Sequence, residues 1–521
     1  MASRTPAASA SSGPASAPHD HDVPRFPVDN HGLLILGMML TSTMQVLDMT
    51  VANVALPHMQ SALGTTNETI TWVLTSYIVA GAVALPLAGW LTAKIGVRNL
   101  FIYAIIGFVV TSMLCGMAQT IEEMVIFRAL QGMTGTFFLP LSQSTMLDTT
   151  RPSKHAQMMA LWGSVTMVGP ILGPVLGGWL TEYWSWRWVF YVNLPIGMLA
   201  LVLVLAQLPD IREQSRRFDM LGFVLVASGL AALQLLLDRG NQIGWFDDAE
   251  AWIYLFIVLS AAWVAIIHTV TAQHPLFDRR LFLDVNLVAT LIFMVVLGAI
   301  LYATLSLLPP LIQDIYGYDT IDTGLLLAPR GIGFVVAARM MSPLQRWNID
   351  FRMTVAAGLI AMGVGCAMMT QWTITMSQWD IILPGFMQGI GMAFIFISMN
   401  TFAFVTVAPE FRTDAAILLG VFRTVGSSIG ISVMATLFGR NMQVGHSELG
   451  ERLQSRIGGM VDATTLDRFP MVGDTVLRLV DAEVNRQAAM IAYINDFQVM
   501  VWMCIATAPL LLLLRPSRHR A

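Results

Sequence analysis

The chain has 521 residues, of which 55% are hydrophobic and only 12% charged, and its formal net charge is −4. Soluble domains carry about 25% charged residues, so this composition, with a mean hydropathy of +0.66, excludes a soluble globular protein and specifies a polytopic membrane protein. The charge gives no basis for a nucleic-acid partner, and Cys115, Cys366 and Cys504 fall in apolar stretches, where they read as small buried hydrophobes rather than disulfides or metal ligands.

Residues 1–30 are rich in Ala, Ser and Pro and too polar for a signal-peptide core, which predicts a disordered cytoplasmic tail. At about 20 apolar residues per crossing, about fourteen spans follow. They lie near 33–55, 72–92, 99–119, 124–147, 157–181, 188–208, 218–237, 251–271, 286–310, 322–343, 353–372, 379–403, 413–438 and 494–514. The pair 218–237 and 251–271 reads either as two spans or as one re-entrant pair.

The first span carries Asp48 and the fourth carries Arg128 and Gln131. A charge within the membrane costs at least about 2.5–3.5 kcal/mol, so each needs a reason. Counting along the two antiparallel spans at ~1.5 Å per residue puts Asp48 and Arg128 at similar depth. Gln131, three residues on, shares the face of Arg128. Two readings follow: a carboxylate alternately paired and released as a proton carrier, or a structural ion pair locking two helices.

The fifth span contains GPILGPVLGG. Gly169, Gly173 and Gly177 recur every fourth residue on one face, Pro170 and Pro174 each remove a backbone donor, and Gly178 ends the run. The stripe predicts close approach of a second helix, either as a bending contact in a moving interface or as static small-residue packing. Later spans hold Arg330 in the tenth, Gln388 in the twelfth and Arg423 in the thirteenth. Each arginine reads as a cavity residue or as an anchor for a broken helix. Asp148 and Asp414 sit near helix ends, where solvated or capping roles are expected. The 34 methionines and 26 phenylalanines suit lipid contact and packing, or a cavity that adapts to ligands of different shape.

Residues 439–493 separate the last two spans. Within 474–489, Val476, Leu477, Val480 and Val484 recur at helical spacing between Arg478, Asp481, Glu483 and Arg486, predicting an amphipathic helix. Short-loop charges set the orientation. With the N-terminus inside, the inner loops hold Lys94, Arg98, Arg151, Lys154, Arg212, Arg216, Arg217, Arg279, Arg280, Arg346, Arg352 and Arg412, and the tail adds three more arginines. The short outer loops hold only Arg187 and Arg239. Both termini are therefore expected in the cytoplasm and 439–493 outside. A weak internal repeat runs through the chain. Phe127–Gly132 is echoed by Gly385–Gly389, and the Gly/Pro ladder by Gly426-Ser-Ser-Ile-Gly430 at a matching offset.

These residues resemble the major facilitator superfamily, in particular its fourteen-span drug:proton antiporter branch of the EmrB/QacA type. The resemblance is carried by Leu47-Asp48 through Leu56-Pro57, Trp72–Tyr77, Arg128–Gly132, Gly169–Gly178, Trp186–Phe190 and Asn193–Pro195. It implies an all-α polytopic fold with two six-helix pseudo-symmetric halves, 31–210 and 285–521, plus two additional central helices in 211–284. It also implies proton coupling through Asp48, Arg128 and Gln131, with an antiporter motif at Gly169–Gly178. One departure is Ala93 in Gly89–Gly96, where the superfamily usually has Asp, which puts the usual cytoplasmic charge relay in doubt. Leu139–Ser144 and the long 439–493 segment are similar to the EmrB-type subgroup. That likeness implies a bacterial inner-membrane pump with a periplasmic adaptor and an outer-membrane channel as partners.

Three functions compete: proton-driven efflux of amphipathic toxic compounds, export of one dedicated small molecule, and a non-transporting sensor. Asp48, Arg128 and the glycine ladder disfavour the sensor. No Walker-type phosphate loop is present, so a proton gradient rather than ATP is the expected drive, with no cofactor and no enzymatic nucleophile or metal cluster. If a cationic compound is exchanged, a second titratable group is required, for which Asp414 is the nearest candidate in the second half.

Overall fold

The computed structural model describes residues 23–166, 168–210, 217–346, 350–457 and 470–514. These form helices α1 His31–Leu63, α2 Trp72–Ile95, α3 Val97–Met117 and α4 Ile121–Thr149. Next come α5, in the pieces His155–Thr166 and Val168–Tyr183, then α6 Trp188–Gln207, α7 Met220–Arg239, α8 Ala249–Thr271 and α9 Val285–Ile315. The series ends with α10 Thr320–Arg346, α11 Phe351–Met369, α12 Gln378–Thr406, α13 Arg412–Ile457 and α14 Pro470–Thr507. Among the described residues, 13 helices are individually long and apolar enough to cross a bilayer. The two pieces of α5 flank Met167, which lies outside the described residues.

Helix pairing follows a two-fold repeat. In the first half α1 packs on α5 and α6, α2 on α4, and α3 on α4 and α6; in the second, α9 packs on α13 and α14, α10 on α12, and α11 on α12 and α14. Moving eight helices along the chain maps one set onto the other. The same shift relates the contacts between halves, where α2 and α4 meet α13 while α10 and α12 meet α5. The repeated glycines show why the crossings match. A Cβ on Gly132 of α4 would strike the carbonyl of Tyr77 on α2, and one on Gly389 of α12 would strike that of Arg330 on α10. Gly169 of α5 lies against Val46 and Leu47 of α1, and Gly426 of α13 against Val295 of α9.

Between the halves, α7 and α8 are two complete helices that pack on each other, each long and apolar enough to cross a bilayer. Only 6% of the spanning window of α8 is buried, so it lies at the periphery. By contrast, α7 wedges between α2 and α13 through Gln234–Ser428 at 2.7 Å and a Thr75–Asp238 hydrogen bond, and Trp245 in the loop after it bonds Thr436 of α13 at 3.0 Å. The two arginines expected on the outer loops both have partners. Arg187 donates to the carbonyls of Gly116 and Ala118 at 2.8 and 2.7 Å, and Arg239 pairs with Glu250.

Two expected loops differ from the sequence reading. Of the tail expected to be disordered, residues 1–22 lie outside the described residues. Residues 23–30 reach the bundle, with the Phe26 N–H bonded to the Asp148 carbonyl at 3.1 Å. The 439–493 segment extends the membrane helices themselves. α13 runs for 46 residues, about 69 Å at ~1.5 Å per residue, roughly twice the hydrocarbon thickness. α14 returns beside it, with Gly445 against Ala488 and His446 3.1 Å from Asp481. Val484 is buried while Arg478, Asp481 and Glu483 are exposed. Val476 and Leu477 lie outside the side chains described, as does the tip, 458–469.

Candidate functional site

Asp48 stands in the middle of α1, where 0% of it is exposed. Arg128 of α4 donates through Nη1 to its Oδ2 at 2.7 Å, and Gln131, a turn later on α4, donates to its Oδ1 at 2.9 Å. Asn193 at the start of the main run of α6 donates to the same Oδ1 at 2.7 Å. Arg128 is itself held: Nη1 also bonds Gln131 Oε1 at 2.8 Å, Nε bonds the Val73 carbonyl of α2 at 3.1 Å, and its plane lies 4.3 Å from the Tyr77 ring. Asn193 also donates to Ser112 of α3 at 2.9 Å, which in turn bonds the Phe190 carbonyl. One carboxylate thus ties α1 to α4 and α6 directly, and to α2 and α3 through its partners. A buried charge is tolerable only when so compensated, and removing the negative charge would leave Arg128 without its counter-ion.

The glycine ladder bears on the same stretch of α1. A Cβ at Gly169 would lie 2.8 Å from Val46 Cγ1, one at Gly177 3.2 Å from Val51 Cγ1, and one at Gly173 would collide with the Thr50 side chain. Thr50 also donates to the Gly169 carbonyl at 3.2 Å. Pro174 lies within the second piece of α5 without ending it. The side chain of Pro170 is outside those described, and the Gly178 carbonyl accepts from Thr181 at 3.0 Å. α5 passes from α1 directly to the other half, where Trp162 stacks on Phe396 of α12 at 5.8 Å and Gly163 touches Phe334 of α10.

The second half repeats the crossing but not its chemistry. Arg330 donates to Gln388 Oε1 at 2.6 Å, and the Gln388 amide faces Cys366 and Met369 on α11. By its glycine contact Arg330 occupies the place of Tyr77, so this half has an arginine and a glutamine but no carboxylate between them. Arg423 points elsewhere. It lines a cavity between the halves with Val46, Leu139, Tyr302 and Phe396, and that cavity has room for about 30 Å³ of water, far below the few hundred Å³ of a drug site.

Two acidic residues depart from expectation. Asp148, read from sequence as a solvated or capping residue, is buried and accepts from Arg412 of α13 at 2.8 Å, with Arg25 3.7 Å away. Asp414, also read as a solvated or capping residue, does lie in the first turn of α13 at the end of the bundle holding the termini, but it is buried, its carboxylate against Gly89 of α2. Both belong to the same closure, where Gln143 of α4 also bonds Asn400 of α12. Ala93 replaces the usual acid, and Asp148–Arg412 joins the halves there. The sequence shows Asn193 only within a motif and not as a partner of Asp48, because it is uncharged, and it hides Asp496, which sits at the edge of its expected span.

Two repeated six-helix halves, with a sealed carboxylate–guanidinium pair in one and a cavity between them, define a membrane transporter. The chain belongs to the Major Facilitator Superfamily, whose family model matches residues 38–431. Among its relatives are the multidrug export protein EmrB of Escherichia coli K12, 33% identical over 80% of this chain and 82% of that one, and the fatty acid resistance protein FarB of Neisseria gonorrhoeae, 32% identical over 93% and 96%. The crystal structure of the human organic anion transporter MFSD10 covers 91% of the chain with a TM-score of 0.55 at 13% identity, which bears on the fold alone.

Proposed function

We propose that this chain is a proton-coupled exporter of amphipathic compounds in a bacterial inner membrane, with both termini cytoplasmic, and that Asp48 carries the proton. The observation that carries the reading is the fully buried Asp48, whose oxygens take Arg128, Gln131 and Asn193 as donors. A proton on Asp48 removes the charge that holds α1 to α4 and α6. Because the glycine ladder grips the same turns of α1, α1 can then shift against α5, and α5 is the helix that bears on α10 and α12. Proton occupancy thereby biases closure at the cytoplasmic end, which is alternating access. The drive is sufficient: about 2.3 kcal/mol per 100 mV and about 1.36 kcal/mol per pH unit together hold a several-hundred-fold gradient of a neutral compound per proton.

Arg423 lines the space between the halves, which is too small for a compound in this packing; when that space widens, its guanidinium suits an acidic or carbonyl group on an apolar body. The names of EmrB and FarB, which concern multidrug export and fatty acid resistance, fit that class. A dedicated exporter of one small molecule would use the same parts, and a susceptibility panel separates the two. The paired helical extension of α13 and α14, for which the loop charges support a periplasmic side, is the surface proposed to meet an adaptor leading to an outer-membrane channel. Deleting 445–490 should abolish adaptor pull-down and resistance at normal expression; unchanged pull-down would remove the docking role. For the carrier, Asp48→Asn should abolish compound-induced proton release from vesicles while leaving binding measurable. Full proton-coupled efflux in that variant would reduce Asp48 to a structural partner.

A further inference from the structure

Asp496 of α14 is the buried charge that the network above does not use. It is 0% exposed, and neither carboxylate oxygen has a hydrogen-bond partner, whereas Asp48 has three side-chain donors. Its surroundings are apolar and aromatic. Phe497 packs edge-on against Trp372 beyond α11 at 5.4 Å, and Tyr493, one turn earlier on the same face, lies 4.5 Å from the Phe438 ring of α13. The ionisable groups on the helices around it do not neutralise it. Asp314, at the end of α9, is acidic and exposed; Arg440 of α13 is exposed and makes no ion pair among the described residues. Cys504, two turns on, sits against Cys366 of α11. An anion there has neither donor nor counter-charge, while the neutral acid needs neither.

We propose that Asp496 is a second proton-binding site, protonated in the packing seen here and emptied when α9 and α14 separate. Two observations give it a route and a moving wall. Asp314 is exposed at the end of α9 where Tyr316 meets Met490 of α14, and Tyr493 lies between Met490 and Asp496 along α14. Met490 of α14 meets Tyr316 at 3.7 Å and Met500 meets Thr304 of α9 at 3.5 Å. Met490 and Met500, on either side of Asp496 along α14, thereby set this part of α14 beside the stretch of α9 that holds Pro309 and Pro310 and then the π-helical turn Leu311–Ile315. Two prolines and a wide turn leave that stretch with fewer regular backbone bonds than any straight helix. A proton from water near Asp314 adds to one Asp496 oxygen as the wall closes. The O–H bond breaks and the proton returns to water on the side that next opens. Joined to the proposed function, this makes two protons per cycle rather than one, but proton binding at Asp496 does not require Asp48 to be the carrier.

The test is pH-jump infrared difference spectroscopy on the purified full chain in lipid bilayers, with protons as the only ligand. The expected result is a protonated-carboxyl stretching band that shifts in heavy water, disappears in Asp496→Asn, persists in Asp48→Asn and returns displaced in Asp496→Glu. A band unchanged in Asp496→Asn would overturn the proposal, as would a spectrum in which Asp48→Asn removes every titrating carboxyl. Proton-driven efflux surviving in Asp48→Asn, with the Asp496 band intact there, would overturn the carrier role of Asp48 and leave this site standing.

Discussion

At the scale of single residues, the geometry around Asp48 makes arginine at 128 more than a positive charge. Its guanidinium meets Asp48, Gln131 and the Val73 carbonyl at once, a fork that a lysine ammonium cannot reproduce. Arg128→Lys should therefore express normally but lower efflux by about tenfold to a hundredfold, the equivalent of one charge-assisted bond of about 1.5–3 kcal/mol; unaltered efflux kinetics would reduce Arg128 to a counter-charge. Asn193→Ala removes a single donor to the carboxylate and should destabilise the purified protein by about 1–3 kcal/mol, read as earlier thermal unfolding. Much of this cluster was legible in sequence. Intramembrane charges are few, and a rise of ~1.5 Å per residue brings Asp48 and Arg128 to one depth. Asn193 was not, because a neutral amide in an apolar run gives no cost signal, and in a helix apolar all round, periodicity does not reveal which face is inward. Asp496 was lost to a boundary: an acid two residues inside a predicted span reads as the end of the span.

At the scale of helices, the ladder on α5 discriminates between glycines that look alike in sequence. Gly173 has no room for a Cβ beside Thr50, while Gly178 is only half-buried. Gly173→Ala is expected to destabilise the bundle by about 1–3 kcal/mol through overpacking and to abolish efflux, whereas Gly178→Ala should retain it. Equal effects at both positions would mean that α5 does not ride on α1 through this face. Element positions were largely legible because a crossing needs about 20 apolar residues and loops interrupt the run. The long extensions were not. Hydropathy falls after about residue 438, which reads as the end of a span, but residues 439–457 contain no proline to stop a helix. α13 continues because leucine, glutamate, glutamine and arginine all propagate helix, and α14 covers one face of the extension.

At the scale of the molecule, the halves meet through contacts that hold the terminal end shut. Asp148–Arg412, Gln143–Asn400 and Trp162–Phe396 all cross from the first half to the second. The pseudo-symmetry behind them was visible as two short echoes at one offset, enough to indicate repetition but not to place a cross-half ion pair, since Asp148 and Arg412 are far apart in sequence and unremarkable at helix ends. Their side chains are 8% and 14% exposed, so screening is slight and the pair should act as a unit. Asp148→Asn and Arg412→Gln are each expected to open the terminal end, lengthening the distance between spin labels placed at Lys94 and Arg352. The double variant should open it little further than either single change, a coupling of about 1–3 kcal/mol. Additive lengthening would mean that the two residues act separately. Closure would then rest on the Trp162–Phe396 stack and the Gln143–Asn400 bond, which persist when the charges are gone.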